Sequence, residues 1–209
     1  MSNKTLVIGN DIFEGKQIAS TKALTKISIL SVIAYVIMFL EIPVIFFPGF
    51  LKIDLSDIPA LIGAFALGPT AGIMIELVKN ILHFVTKTTT GGVGELANFL
   101  VGIALIIPAS VAYRQYGTKQ AAVTGMIVGI LVMGIVGALA NYFILLPFYG
   151  KVMPMEQIIA WSAAANGAIV DLKTLILYAI IPFNILKGIV VAILTTILYK
   201  RLSPILKIN

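Results

Sequence analysis

The 209-residue chain is 59% hydrophobic and only 11% charged, with a mean hydropathy of +1.05. A soluble domain carries roughly 25% charged residues, so this chain cannot cover a water-facing surface and lipid must be its main solvent. At ~20 residues per crossing there is length for about five to seven spans, and a separate soluble catalytic domain will not fit. With no cysteine and one histidine, His83, the composition excludes disulfides, thiolate metal sites, cysteine nucleophiles and histidine-based triads. The net charge of +6 is read as fixing topology rather than as a footprint for nucleic acid.

Residues 1–20 carry Lys4, Asp11, Glu14 and Lys16 and no apolar run of signal-peptide length, so they read as a short cytoplasmic tail. The remainder, 21–209, reads as one all-α membrane domain of six transmembrane helices. Span 1 covers 24–40 and is followed by Pro43, Pro48 and Gly49, which break the chain. Span 2 covers 57–67, with Pro59 in its first turn and a Gly68-Pro69 turn after it. Asp54 and Asp57 suit a capping role there, because aspartate accepts free N–H groups at a helix start. Spans 3 and 4 cover 70–85 and 95–112. Span 5 covers 121–146 and is expected to stop at Pro147. A long connection, 147–172, has room for a short helix around Trp161. Span 6 is expected to begin at Pro182 and end near Tyr199, because proline inside a helix loses an N–H and crowds the carbonyl four residues back.

Six spans put both termini on one side, with Lys4, Lys16, Lys22, Lys26, Arg114, Lys119, Lys200, Arg201 and Lys207. The other side has only Lys52, Lys87, Lys151 and Lys173, so the termini are expected in the cytoplasm. The loops 41–56, 86–94 and 147–172 then face outward.

Polar side chains inside the spans are the candidate site: Glu76, Lys79, Asn80, His83, Asn98, Asn141, Asn184 and Lys187. A charge at the centre of a spanning helix costs ~3 kcal/mol on insertion scales, so such groups turn toward protein. Alternating helix directions bring Asn80, His83, Asn98, Asn141, Asn184 and Lys187 to similar depth in the outer half, as one outward-open pocket would require. Asn184 and Lys187 also lie just after a helix start, where free N–H groups add donors. Plainer readings stand beside this one. Glu76 and Lys79 are three apart and suited to neutralise each other. Glu76, Asn80 and His83 share a stripe fit for an interhelix seam, and His83 suits the membrane interface. Asn98 beside Glu95 fits a cap, and Lys187 is long enough to snorkel outward. Ser28, Ser31 and Ala34 form a small-residue stripe that either packs internally or meets a partner. The apolar loop 43–57 carries Phe46, Phe47 and Phe50, which either dip into lipid or fold over the pocket. Gly91-Gly92-Val93-Gly94 lacks the lysine of a phosphate-binding loop, and no paired broken helices or catalytic constellation stand out.

The stretch Lys52-Ile-Asp-Leu-Ser-Asp-Ile-Pro-Ala60, with Gly68-Pro-Thr-Ala-Gly72 and Glu76-Leu-Val-Lys-Asn80, resembles the riboflavin-specific substrate-binding subunits of energy-coupling factor (ECF) transporters. Asn98, Asn141 ahead of Leu-Leu-Pro147, and Pro182-Phe-Asn-Ile-Leu-Lys-Gly188 continue the match, which spans about residues 22–202. The resemblance implies a subunit without enzymatic activity or cofactor in the bacterial cell membrane. It would capture riboflavin outside and deliver it with a membrane coupling subunit and two ATPase subunits. On matching positions it points to Leu51, Asp54, Glu76, Asn80, Asn98, Asn141, Asn184 and Lys187 for the ligand. Ser28, Ser31 and Ala34 stand where other members carry an alanine-spaced motif for the coupling subunit. The alternative expectation is a self-sufficient transporter driven by an ion gradient through Glu76, Lys79 and His83, and a non-transport helical scaffold is a third.

Overall fold

The computed structural model describes residues 20–206. The tail assigned to 1–20 therefore lies outside the described residues except for Ser20, as do Lys4, Lys16 and Lys207. Helix α1 (Thr21–Met38) starts on Ser20, whose hydroxyl accepts from the Ala23 N–H at 3.2 Å. A small antiparallel hairpin follows, β1 (Ile42–Pro43) and β2 (Lys52–Ile53), with Ile42 opposite Ile53. Helices α2 (Asp57–Leu67) and α3 (Pro69–Lys87) meet at Gly68. Its φ of 106° suits only glycine, and Pro69 supplies a preset first-turn φ. Helix α4 (Val93–Tyr116) leads to α5 (Lys119–Ala140), which is capped by the Thr118 hydroxyl accepting from Ala121 N–H at 3.1 Å.

Beyond α5 come a π-helical turn (Asn141–Leu145), α6 (Leu146–Tyr149) and α7 (Met155–Ala165), which contains Trp161. Then α8 (Leu172–Leu175), capped reciprocally by Asp171 and Thr174, passes through a second π turn (Ile176–Ile180) into α9 (Ile181–Leu206).

Two boundaries correct the sequence expectation. The fifth helix does not stop at Pro147 and the last does not start at Pro182. Both are continuous, over Lys119–Tyr149 and Leu172–Tyr199. Each contains one π turn directly ahead of its proline. There the Leu146 N–H bonds the Asn141 carbonyl and the Ile181 N–H bonds the Ile176 carbonyl, one residue further back than in an α-helix. The chain thus carries Pro147 and Pro182 within continuous helices, each just beyond a π turn.

Among the described residues, four helical stretches are long and apolar enough to cross a membrane: Thr21–Met38, Val93–Tyr116, Lys119–Tyr149 and Leu172–Tyr199. Helix α3 has the length, at 19 residues, but carries Glu76, Lys79 and Lys87. Helix α2 has 11 residues, ~16 Å of rise, and is too short to span alone. Every residue of α2 except Ala66 is buried, so it is the central strut of the bundle. The main core gathers around it from α1, α3, α4 and α9, including Leu30, Leu61, Ile75, Leu105 and Val191. A second cluster ties Leu51 and Ile53 of the first loop to Leu146, Ile158, Leu175 and Phe183. It builds the end of the molecule where the π turns lie. Helices α4 and α5 pack backbone to backbone: a Cβ on Gly129 would stand 2.5 Å from the Leu105 carbonyl oxygen.

Candidate ligand-binding site

The two π turns meet at one end of the bundle and place an asparagine each beside them. Asn141 opens the first π turn and donates its Nδ2 to the Gly137 carbonyl at 2.8 Å. Asn184, just past Pro182, donates likewise to the Ile180 carbonyl at 2.8 Å. Both amides are thus fixed by their own helices, which leaves their oxygens to accept from a ligand. Asn141 and Asn184 line one pocket together with Asn98, Lys187, Leu51 and Asp54. The buried Oδ1 of Asn98 has no hydrogen-bond partner in the protein. The pocket holds about 160 Å³, or about 650 Å³ out to its open mouth. An apolar chamber of about 580 Å³ adjoins it, walled by Pro48, Met153, Ile158 and Trp161. Phe50 and Tyr149 belong to both, with ring centroids 6.3 Å apart.

Behind the pocket runs a buried ion network. The Lys187 Nζ lies 2.9 Å from Asp54 Oδ2 and 3.0 Å from Asp57 Oδ2. Asp57 Oδ1 accepts from Lys79 Nζ at 2.8 Å, and Lys79 also pairs with Glu76 Oε2 at 2.7 Å. Ser56 closes the circuit: its hydroxyl accepts from Lys79 at 2.9 Å and donates to Asp54 Oδ1. One loop and three helices, α2, α3 and α9, are thereby tied by charge-assisted bonds. Burial alone would raise the Asp54 carboxyl, but Lys187 and Lys79 more than offset that and hold it well below the ordinary carboxylate range.

Six of the residues singled out from the sequence come together here: Leu51, Asp54, Asn98, Asn141, Asn184 and Lys187. Glu76 and Asn80 do not line the pocket. Glu76 packs against Gly102 and holds Lys79, and Asn80 donates to the Glu76 carbonyl at 2.8 Å. Asp57 is not the cap expected from its position. Ser56 occupies that place, and both Asp57 oxygens face lysines. Lys187 does not snorkel, because two carboxylates hold it inside. Glu95 pairs with His83 at 2.8 Å and accepts from Thr88 and Thr90 instead of forming a cap with Asn98. On α1 the small-residue stripe is split. Ser31 and Ala34 are fully buried against the chain's own helices, Ser31 donating to the Ile27 carbonyl, while Ser28 is exposed. Phe47 packs edge-on to Phe183 at 5.5 Å, whereas Phe46 is 76% exposed. Sequence reasoning passed over Tyr149 and Phe183 as lining residues. Each lies close to a proline that follows a π turn, and the turn itself is not announced by the sequence.

A helical membrane protein with a half-polar, half-apolar pocket at one end of the bundle has the form of a small-molecule-binding component. Residues 22–199 match the family model "ECF transporter, substrate-specific component", and the chain belongs to that family. It is accordingly a multi-pass protein of the bacterial cell membrane. It is 41% identical to the riboflavin transporter RibU of Staphylococcus aureus (strain TCH60), covering 89% of this chain and 93% of that one. It is 34% identical to the riboflavin transporter FmnP of Bacillus subtilis (strain 168), covering 88% and 93%. The solved S component of a bacterial ECF transporter superposes with a TM-score of 0.69 at 38% identity, covering 88% of this chain and 97% of that one.

Proposed function

We propose that this chain captures riboflavin outside the cell as the substrate-specific subunit of an ATP-driven ECF importer. The observation that carries the reading is the juxtaposition of two unlike compartments. Asn98, Asn141, Asn184 and Lys187 gather in one pocket, and the apolar chamber of Phe50, Tyr149 and Trp161 lies beside it, sharing Phe50 and Tyr149. Riboflavin has the same division, with a flat apolar ring on one side and a carbonyl-bearing edge plus a hydroxylated ribityl chain on the other. The fixed asparagine oxygens accept from hydroxyl and imide N–H groups, and the aromatic walls bury the ring. Leu51 and Asp54 bring the first loop over the ligand. Glu76 and Asn80 support the site from behind.

The topology we propose keeps six helical membrane segments and cytoplasmic termini within the single domain 21–209, with α3 as the third crossing and α2, too short to span alone, as a buried second segment. The importer would include a membrane coupling subunit and two ATPase subunits, since the chain has no phosphate-binding loop of its own. The exposed side of α1 around Ser28 is the surface on offer to the coupling subunit. A self-sufficient transporter running ions through Glu76, Lys79 and His83 fits less well, because Glu76 and Lys79 hold each other and His83 is hydrogen-bonded to Glu95. A fluorescence titration of riboflavin with the purified protein tests the proposal. Stoichiometric quenching is expected, and unchanged emission at excess protein would refute it.

A further inference from the structure

Asp57 is fully buried and does not line the pocket, yet it sits between the one charged side chain common to pocket and α9, Lys187, and a second buried lysine, Lys79. Its two oxygens are divided: Oδ1 accepts a directed hydrogen bond from Lys79 at 2.8 Å, and Oδ2 meets Lys187 at 3.0 Å as an ion pair without hydrogen-bond geometry. Lys79 is itself locked, by Glu76 at 2.7 Å and by the Ser56 hydroxyl at 2.9 Å. An ammonium on a four-carbon stem has many rotamers and is positioned only by what holds its charge. Lys187 has three N–H donors. One is directed at Asp54 Oδ2 at 2.9 Å and Asp57 Oδ2 takes up a second side of the ammonium, so a third donor remains for the pocket that Lys187 lines.

We propose that Asp57 is a positioning residue for ligand recognition: clamped by Lys79, it fixes the direction in which Lys187 offers its remaining N–H to a carbonyl acceptor of the ligand. Specificity then reaches beyond the pocket wall, through α2 to α3. A helix with no atom in the pocket sets the geometry of the one cation in it that reaches from α9. This rests on the riboflavin-binding reading above.

The experiment is a double-mutant cycle on the full chain, read by riboflavin dissociation constants from fluorescence quenching and by the visible absorption spectrum of the bound flavin. D57N in the parent protein is expected to weaken binding roughly tenfold and to shift the bound-flavin band, whereas in a K187M background it should change affinity less than about twofold. A merely structural Asp57 would give the same loss in both backgrounds and leave the band in place, and that result would overturn the proposal. Where D57N does not fold, the charge-neutral pair E76Q/K79Q removes the Lys79 clamp and leaves Asp57 in place. It should weaken riboflavin several-fold in the parent and have no effect in K187M, and equal losses in both would again overturn the proposal. Failure of the parent protein itself to quench riboflavin would instead overturn the functional reading, and the positioning role with it. Parent binding with additive variants isolates the failure to Asp57.

Discussion

Asp54 on the first loop and Lys187 on α9, 133 positions apart in the chain, form a 2.9 Å ion pair at the wall of the pocket. The pair links the covering loop to the last helix, so the loop should stay shut only while both charges are present. Asp54→Asn is expected to raise the riboflavin dissociation rate by about tenfold, with a smaller change in the association rate, as the loss of one charge-assisted bond implies. Stopped-flow displacement by an excess of a non-fluorescent flavin competitor, read as recovery of riboflavin emission, checks this.

The pH response follows from the same pair. A carboxylate whose folded-state pKa is depressed stabilises the fold at all pH above its ordinary value and loses that contribution only as pH falls through the lowered one. Asp54 is such a group, held down against the effect of burial by Lys187 and Lys79. Riboflavin affinity should therefore be flat from about pH 5 to pH 8, since the ordinary aspartate value is about 3.9. Titrations at both ends of that range test it, and a fall in affinity already at pH 5 would contradict the assignment.

The prolines offer a different test. Pro182 stands just beyond the π turn Ile176–Ile180 and has no N–H to give an α-helical bond to the Tyr178 carbonyl. Pro182→Ala lets that turn relax to α-helix, which changes the register between Asn184 and the elements above it. Riboflavin binding should fall at least tenfold while the unfolding temperature in detergent stays level or rises, because about 3 kcal/mol of proline penalty is removed. Binding lost together with stability would mean that the π turn is not what places Asn184.

Much of this was legible in the sequence, and the exceptions share a physical cause. Turn chemistry at Gly68-Pro69 fixed the α2–α3 boundary to within a residue, and matching depth brought Asn98, Asn141, Asn184 and Lys187 into one pocket. The prolines misled because the usual rule reads a mid-helix proline as a break, whereas the chain keeps its helix across Pro147 and Pro182 with a π turn ahead of each. Asp57 misled because a cap is a local reading, whereas its real partners, Lys79 and Lys187, lie 22 residues away and on α9. Tyr149 and Phe183 were hidden because an aromatic in a membrane helix carries no sign of whether it faces lipid or a cavity.

The tight α4–α5 contact should be intolerant of volume. Gly129→Ala would drive a methyl group against the Leu105 backbone and is expected to cost about 1–3 kcal/mol. Gly167→Ala, where a methyl group would meet nothing within 4 Å, is the control and should leave the thermal unfolding curve in place.

Finally, the ion network separates the cost of an unpaired charge from the worth of a pair. Lys79 and Glu76 both have fully buried side chains, as has Asp57. Lys79→Met leaves Glu76 without its cation and Asp57 with Lys187 alone, and stranding buried charge in this way costs about 3–5 kcal/mol. The E76Q/K79Q pair keeps net charge and the possibility of amide hydrogen bonds, so it should melt much nearer the parent protein. Thermal unfolding in detergent, followed by static light scattering, distinguishes the two. If Lys79→Met melted like the parent, water would have to reach these groups, and the network would be a solvated cluster rather than the dry strut that ties the first loop, α2, α3 and α9 together.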